Sequence, residues 1–362
     1  MRALVAALVL ALGLTACGIE AKDSSSGKKS PQGTAAPALA DVTPLADPRD
    51  WKGAVTAVAD HAEVRPIGTP QPQLPVTLTD VQGTKVTVTD TSRVLALDVY
   101  GTLSRTVYEL GLGDSLVGRD VSTQFAEADK LPLVTSGGHD LNAESILDLD
   151  PTLIITDTSL GPWDVVLQMR EAGIPVVVVD GTRNIENVSE LIGQVAEALG
   201  VPEAGKQLGE RTEGEVRAVL EQIRGVAPKD DADRLRAVFL YVRGQANVYH
   251  MFGEGSGADT LIDALGLYDV AEEIDWKGTR AVTAEAIIAA QPDLVLLMSG
   301  GLESTGGIDG LLDKVPALAS TPAGENKRFV DMEDSQILGY GPLTAQVLNA
   351  LAVAVYAPES VS

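Results

Sequence analysis

Apolar and polar residues alternate through Val76 to Val88 on either side of Gln82-Gly83, which predicts a β-hairpin. Three apolar runs follow, at Arg93 to Leu97, Leu153 to Thr156 and Val176 to Val179. Each is short enough to be a buried parallel strand. Between them, Leu103 to Gly111 and Trp163 to Ala172 have helical spacing. Strands alternating with helices predict an α/β lobe. Ile185 to Leu199 then reads as one helix. A second starts at Pro202 and runs to Gly225, a rod of about 34 Å. Asp230, Asp231 and Asp233 interrupt the pattern. A second α/β run begins at Leu235, with strands at Val238 to Val242, Val248 to Phe252, Leu294 to Met298 and Arg328 to Asp331. Helices are predicted at Ala258 to Leu265 and Pro342 to Tyr356.

The two runs contain a repeat. Asn142 to Asp157 reads NAESILDLDPTLIITD, and Thr283 to Met298 reads TAEAIIAAQPDLVLLM, with Ala, Glu, Ile, Pro and Leu in register. Leu110-Gly-Leu-Gly-Asp114 and Leu265-Gly-Leu-Tyr-Asp269 form a second echo. The fold expected is α/β, with two similar Rossmann-like lobes joined by one long backbone helix. Such a pair sets a ligand site in the cleft between the lobes.

Composition narrows the function. Of 362 residues, 45% are hydrophobic, enough for a packed core, which excludes whole-chain disorder. Lys and Arg number 27 against 51 Asp and Glu, a net charge of −24, which argues against a nucleic-acid partner. One Cys excludes a disulfide framework and a thiolate-rich zinc site. After residue 20 no stretch reaches the roughly 18 apolar residues of a membrane span.

The start of the chain, MRALVAALVLALGLTAC, places Arg2 before an apolar run from Ala3 to Ala16, the form of a secretory signal. Leu14-Thr15-Ala16-Cys17 resembles the lipobox of bacterial lipoproteins. The resemblance implies that Cys17 is acylated and anchors the chain outside the cytoplasm. The stretch from 18 to about 72 is rich in Ser, Lys, Gly, Pro and Asp and reads as a tether. A short helix is expected within it at Pro48 to Ala59, carrying Trp51, and His61 is expected at its surface. The division is therefore a signal peptide at 1–16, lipidated Cys and tether at 17–72, an N-terminal lobe at 73–183, a helical linker at 184–228 and a C-terminal lobe at 229–358.

This architecture resembles the substrate-binding proteins of ABC importers that have a rigid helical backbone (class III). The resemblance implies a cargo of heme, ferric siderophore or cobalamin. It also implies one exposed glutamate per lobe docking on the permease, which falls on Glu144 and Glu285. The segments DVYGTLSRTVYELGLGD (98–114), VGRDVSTQF (117–125), TSGGHDLNAESILDLDP (135–151) and FLYVRGQANVYHMFGEGSGAD (239–259) are similar to the hemin-binding lipoproteins of actinobacterial heme importers, the HmuT type. That family holds ferric heme between a His of one lobe and a Tyr of the other, matched here by His139 and Tyr241.

The chemistry of these positions agrees. His139 follows Gly137-Gly138 on a turn, and neutral imidazole ligates iron. Tyr241 closes a strand, and phenolate is a hard donor for ferric iron. Arg243, two residues on, shares its face, and its charge favours phenolate. Met298 matches a family Met that packs on the porphyrin. Some members carry a further Tyr where this chain has Trp276-Lys-Gly-Thr-Arg280, so a hydrogen bond to a ligand is either absent here or supplied by Thr279 or Arg280. His250 is read as structural. The resemblance implies a monomeric binding protein, not an enzyme, that serves an ABC permease and ATPase. The alternative on the same scaffold is a siderophore or cobalamin binder. An enzyme reading rests on Gly253-Glu-Gly255-Ser-Gly257-Ala258, which fits a pyrophosphate-cradling turn with Glu272 and Glu273 downstream. No G-x-S-x-G or H-E-x-x-H motif occurs.

Overall fold

A computed structural model describes residues 33–60 and 62–361. The signal sequence, Cys17 and His61 lie outside the described residues. The N-terminal lobe is built on a parallel sheet ordered Val94–Leu97, Leu153–Thr156, Val176–Val178. The hairpin Val76–Thr79 and Lys85–Val88 forms as predicted, turning through Gly83 at φ 79°. The C-terminal lobe has a mixed sheet. Strands Phe329–Met332, Leu294–Met298 and Arg236–Arg243 run parallel, and Val248–Phe252 and Thr279–Ala281 continue it antiparallel. The predicted strands and helices form with shifts of one or two residues at their ends, and with Ile185 to Asn187 lying before the first linker helix.

Parity along the strands divides the core. In the strand Val94–Leu97, Leu95 and Leu97 join an outer cluster with Ile146 and Met169, while Val94 and Ala96 face a central one. In Arg236–Arg243, Val238, Leu240 and Val242 face an outer cluster, and Phe239 faces the central one. Burial on both faces is what parallel strands between layers require. The central cluster includes residues of both lobes and of the linker.

The linker is two helices, Val188–Ala198 and Pro202–Val226, and the second is about 37 Å long from its 25 residues. Their close crossing depends on glycine. A Cβ at Gly205 would lie 2.3 Å from the Ala196 Cβ, and one at Gly209 would lie 2.5 Å from the Ser189 hydroxyl.

The internal repeat is structural. Asn142 and Thr283 cap the helices Ala143–Asp148 and Ala284–Ala290 by accepting from the amides of Ser145 and Ala286, at 2.9 and 3.2 Å. Each unit then uses one residue at positive φ, Asp150 at 44° and Gln291 at 43°, before its proline and its buried strand. The duplication reaches further than the sequence comparison detected. Arg93 donates to the Asp150 carbonyl at 2.9 Å, and Arg236 donates to the Ala290 carbonyl at 2.8 Å. Each arginine satisfies carbonyls left open at the end of its lobe's repeat helix.

One expectation is corrected. Residues 33–72 read as a tether, yet they are packed. Val55–Ala57 adds a parallel edge strand to Phe329–Met332, and Leu39 is buried. Asn349 accepts from the Leu39 amide and donates to the Pro37 carbonyl, both at 2.9 Å. The helix expected over Pro48 to Ala59 is only a 3-10 turn, Pro48–Asp50, before that strand. The segment then crosses to the other lobe, where the Arg65 and Ile67 amides donate to Glu109 and Arg65 pairs with Glu215 of the long helix at 2.8 Å. Composition misled because each lobe supplies the hydrogen-bond partners from far along the chain. Among the described residues no helix is long and apolar enough to cross a membrane.

Candidate functional site

The C-terminal ends of the strands in both lobes open onto one cleft, where this class of sheet presents ligand groups. From the C-terminal lobe, the parity of strand Arg236–Arg243 sends Tyr241 and Arg243 to the same face as Phe239. Tyr241 is half-buried and stacks on Phe252, with centroids 5.9 Å apart and an interplanar angle of 16°. The Arg243 guanidinium lies 4.5 Å from the centre of the Tyr241 ring. It is held by Asp334, at 2.8 Å, by the Val242 carbonyl at 2.9 Å and by the Met298 sulfur at 3.8 Å. Asp334 also accepts from the Gly300 amide at 2.8 Å, joining two strand ends. The loop after strand Phe329–Met332 carries Asp334, and no pattern in the sequence linked it to Arg243.

From the N-terminal lobe, His139 is exposed on the turn between the short strands Thr135–Ser136 and Asp140–Leu141. Gly137 and Gly138 both have positive φ, 55° and 103°, which this tight reversal needs. The His139 imidazole is held below its usual pKa, first by desolvation and then by the Arg243 charge, against the pull of Asp140 and Asp334. Groups of the opposite lobe therefore act on His139, and the shift favours the neutral imidazole, the form that can donate a lone pair. Arg243 thus stands against both Tyr241 and Met298, and its charge reaches His139 on the other lobe.

His250, read as structural, is the cross-strand partner of Tyr241, with ring centroids 6.5 Å apart. The antiparallel register sets that neighbour, and register was not legible from the hairpin sequence. In the segment that lacks the family Tyr, Arg280 is stacked on Trp276 at 4.1 Å, and Thr279 is exposed. The glycine-rich turn is also accounted for. The amides of Gly255 and Gly257 donate to Asp259 at 2.7 and 3.0 Å, so these donors are turned inward to a carboxylate and away from any pyrophosphate.

Beneath the N-terminal side of the cleft lies a buried charge cluster that the sequence did not reveal. Arg183 donates to Asp98 at 3.2 Å and to Asp157 at 2.6 Å. Asp120 accepts from the Asp98 amide at 3.2 Å. Burial, and then the Asp98 charge, push Asp120 up to about 7 and Asp157 up to about 6. A cavity of about 330 Å³ between the lobes is lined by Tyr100, Arg105, Phe125, Gln336 and Tyr340, and none of His139, Tyr241, Arg243 or Met298 lines it. Among the described residues no group of three or more His, Cys, Asp and Glu side chains forms a metal site.

Glu144 and Glu285 are exposed in the first turns of the two repeat helices. Neither is in an ion pair among the described residues.

A profile described as Periplasmic binding protein matches residues 99–335. The solved structure of a heme-binding protein, HmuT, is 41% identical, with 86% of this chain and 99% of that chain covered and a TM-score of 0.81. Structures of that protein with one Arg, one Tyr or one His replaced by alanine also match, and the Arg and Tyr replaced there lie two positions apart. The periplasmic heme-binding protein RhuT of Roseiflexus sp. RS-1, in apo form, is 35% identical over 74% of this chain and 99% of that chain, with a TM-score of 0.67. An uncharacterized ABC transporter substrate-binding lipoprotein of Bacillus subtilis, YvrC, is 23% identical over 78% of this chain and 86% of its own length.

Proposed function

Because the chain belongs to the periplasmic binding protein family, we propose that it captures ferric heme outside the cytoplasm and delivers it to an ABC importer. The observation that carries the reading is the cleft itself. The charge of Arg243 on one lobe acts on the His139 imidazole of the other, and the same arginine lies over the Tyr241 ring at 4.5 Å. His139 and Tyr241 are the axial ligands in this proposal. Ferric iron takes phenolate as a hard anionic donor, and Arg243 offers that oxygen its positive charge. Asp334 fixes Arg243 in place at 2.8 Å. Met298 closes the wall beside the ring edge.

Because the ligands come from different lobes, separating the lobes breaks the chelate, and release follows domain motion. Glu144 and Glu285 dock one lobe each on the permease. Cys17 carries the lipid that keeps the protein at the membrane. The protein acts as a monomer and performs no catalysis. The similarity to heme-binding proteins supports the cargo.

Hemin titration followed by absorption spectroscopy tests the reading. A saturable Soret band at one heme per chain is expected, with charge-transfer bands of ferric tyrosinate. His139→Ala and Tyr241→Ala each change that spectrum. No saturable band would move the cargo to a siderophore or cobalamin.

A further inference from the structure

We infer that each docking carboxylate is accompanied by an aliphatic contact, Leu147 beside Glu144 and Ile288 beside Glu285, and that the occupant of this face is a permease presenting a basic side chain next to an apolar pocket, twice. The inference rests on the docking reading of the two glutamates and deepens it. Leu147 is 42% exposed and Ile288 is 55% exposed, two of five large exposed hydrophobic residues among the described residues. A single exposed aliphatic residue is ordinary. These two stand at equivalent positions of the repeat, each three residues after its glutamate and hence on the same side of its helix. The residue before each, Ile146 and Ile287, is buried and suffices to seat the helix. Folding therefore places no demand on the outward position, yet both lobes keep an aliphatic side chain there.

The charge and the duplication select the partner. The chain carries a net charge of −24, and both glutamates are exposed without an ion pair among the described residues, so the complementary surface is basic. Matching caps, matching positive-φ residues and matching arginines make the two lobes present one surface element twice. A partner with two-fold symmetry engages both copies at once. Within each copy the carboxylate supplies long-range attraction, and the aliphatic side chain supplies area that leaves water on contact.

The test measures binding of the heme-loaded mature chain to proteoliposomes that hold its permease–ATPase complex, at several salt concentrations. Leu147→Ser and Ile288→Ser are each expected to weaken binding about fivefold, and the double variant roughly 20-fold, with an unchanged salt slope. Glu144→Ala with Glu285→Ala weakens binding and flattens the salt slope. If the glutamate pair weakens binding while the serine pair binds as the parent does, the aliphatic contact is overturned and docking stands. If both pairs bind as the parent does, the docking reading fails and the inference fails with it. Heme stoichiometry and melting temperature, measured on every variant, show that the folded protein is being compared.

Discussion

Replacing Arg243 by alanine tests the chemistry of the cleft most directly. The guanidinium lies 4.5 Å from the centre of the Tyr241 ring. The phenolate oxygen lies at the ring edge, so opposite unit charges about 5 Å apart attract by about 3 kcal/mol at an effective dielectric constant of about 20. The Arg243 and Asp334 side chains are 30% and 26% exposed, and Asp334 sits 2.8 Å from the guanidinium, so its own charge offsets much of that attraction. About 1–2 kcal/mol remains for a phenolate bound to iron, equivalent to roughly a tenfold change in heme retention. The assay is transfer of heme from the loaded protein to excess apomyoglobin, followed in the Soret region. Arg243→Ala is expected to release heme about tenfold faster, with a shifted tyrosinate charge-transfer band, while Arg243→Lys falls between. The fold itself should tolerate the change, because a partly exposed ion pair contributes about 0–1 kcal/mol. Release at the parental rate with an unshifted band would refute the argument that Arg243 supports the ligand oxygen.

Other consequences concern stability. Asp120 and Asp157 are raised to about 7 and about 6 in the folded protein, whereas an unfolded Asp titrates near 4. Between those values the folded state holds protons that the unfolded state has lost, so stability falls as pH rises from about 4 to 7 and levels off above. Urea midpoints across that range should decline, and Asp98→Asn should flatten the decline by removing the charge that acts on both; a rising midpoint would contradict the cluster's role. Gly205→Val should lower the melting temperature by several degrees, because even a Cβ there meets Ala196 at 2.3 Å. A melt equal to the parent's would show that the two helices separate at little cost. Removing residues 33–60 should destabilise the C-terminal lobe and promote aggregation, since it uncovers the edge of strand Phe329–Met332. A tether would be removed without effect, and calorimetry distinguishes the two.

The legible part of this protein is local. The runs at Leu153–Thr156 and Leu294–Met298 are buried strands because each is an unbroken apolar stretch bounded by a proline turn. The repeat was readable because an Ala-Glu opening and one proline recur at the same spacing. Tyr241 and Arg243 share a face because side chains alternate along any strand. His139 was recognised through resemblance joined to its glycine turn, and the turn alone was too common a feature to single it out.

What the tertiary structure decided depends on partners distant in sequence. Asp334 holds Arg243 from 91 residues away, and His250 stands beside Tyr241 only through the register of an antiparallel pair. Asp98, Asp120, Asp157 and Arg183 are unremarkable singly and become a buried cluster where strand ends converge. Residues 33–72 have the composition of a linker, and the edge strand and hydrogen bonds they find in the two lobes make them part of the body. Periodicity and spacing along the chain determined which segments are helices, which are strands and which units repeat, because those depend on backbone geometry over a few residues. Which side chains share a cleft, and which charges are buried together, follows from packing alone, because those energies arise only between segments the fold has brought into contact.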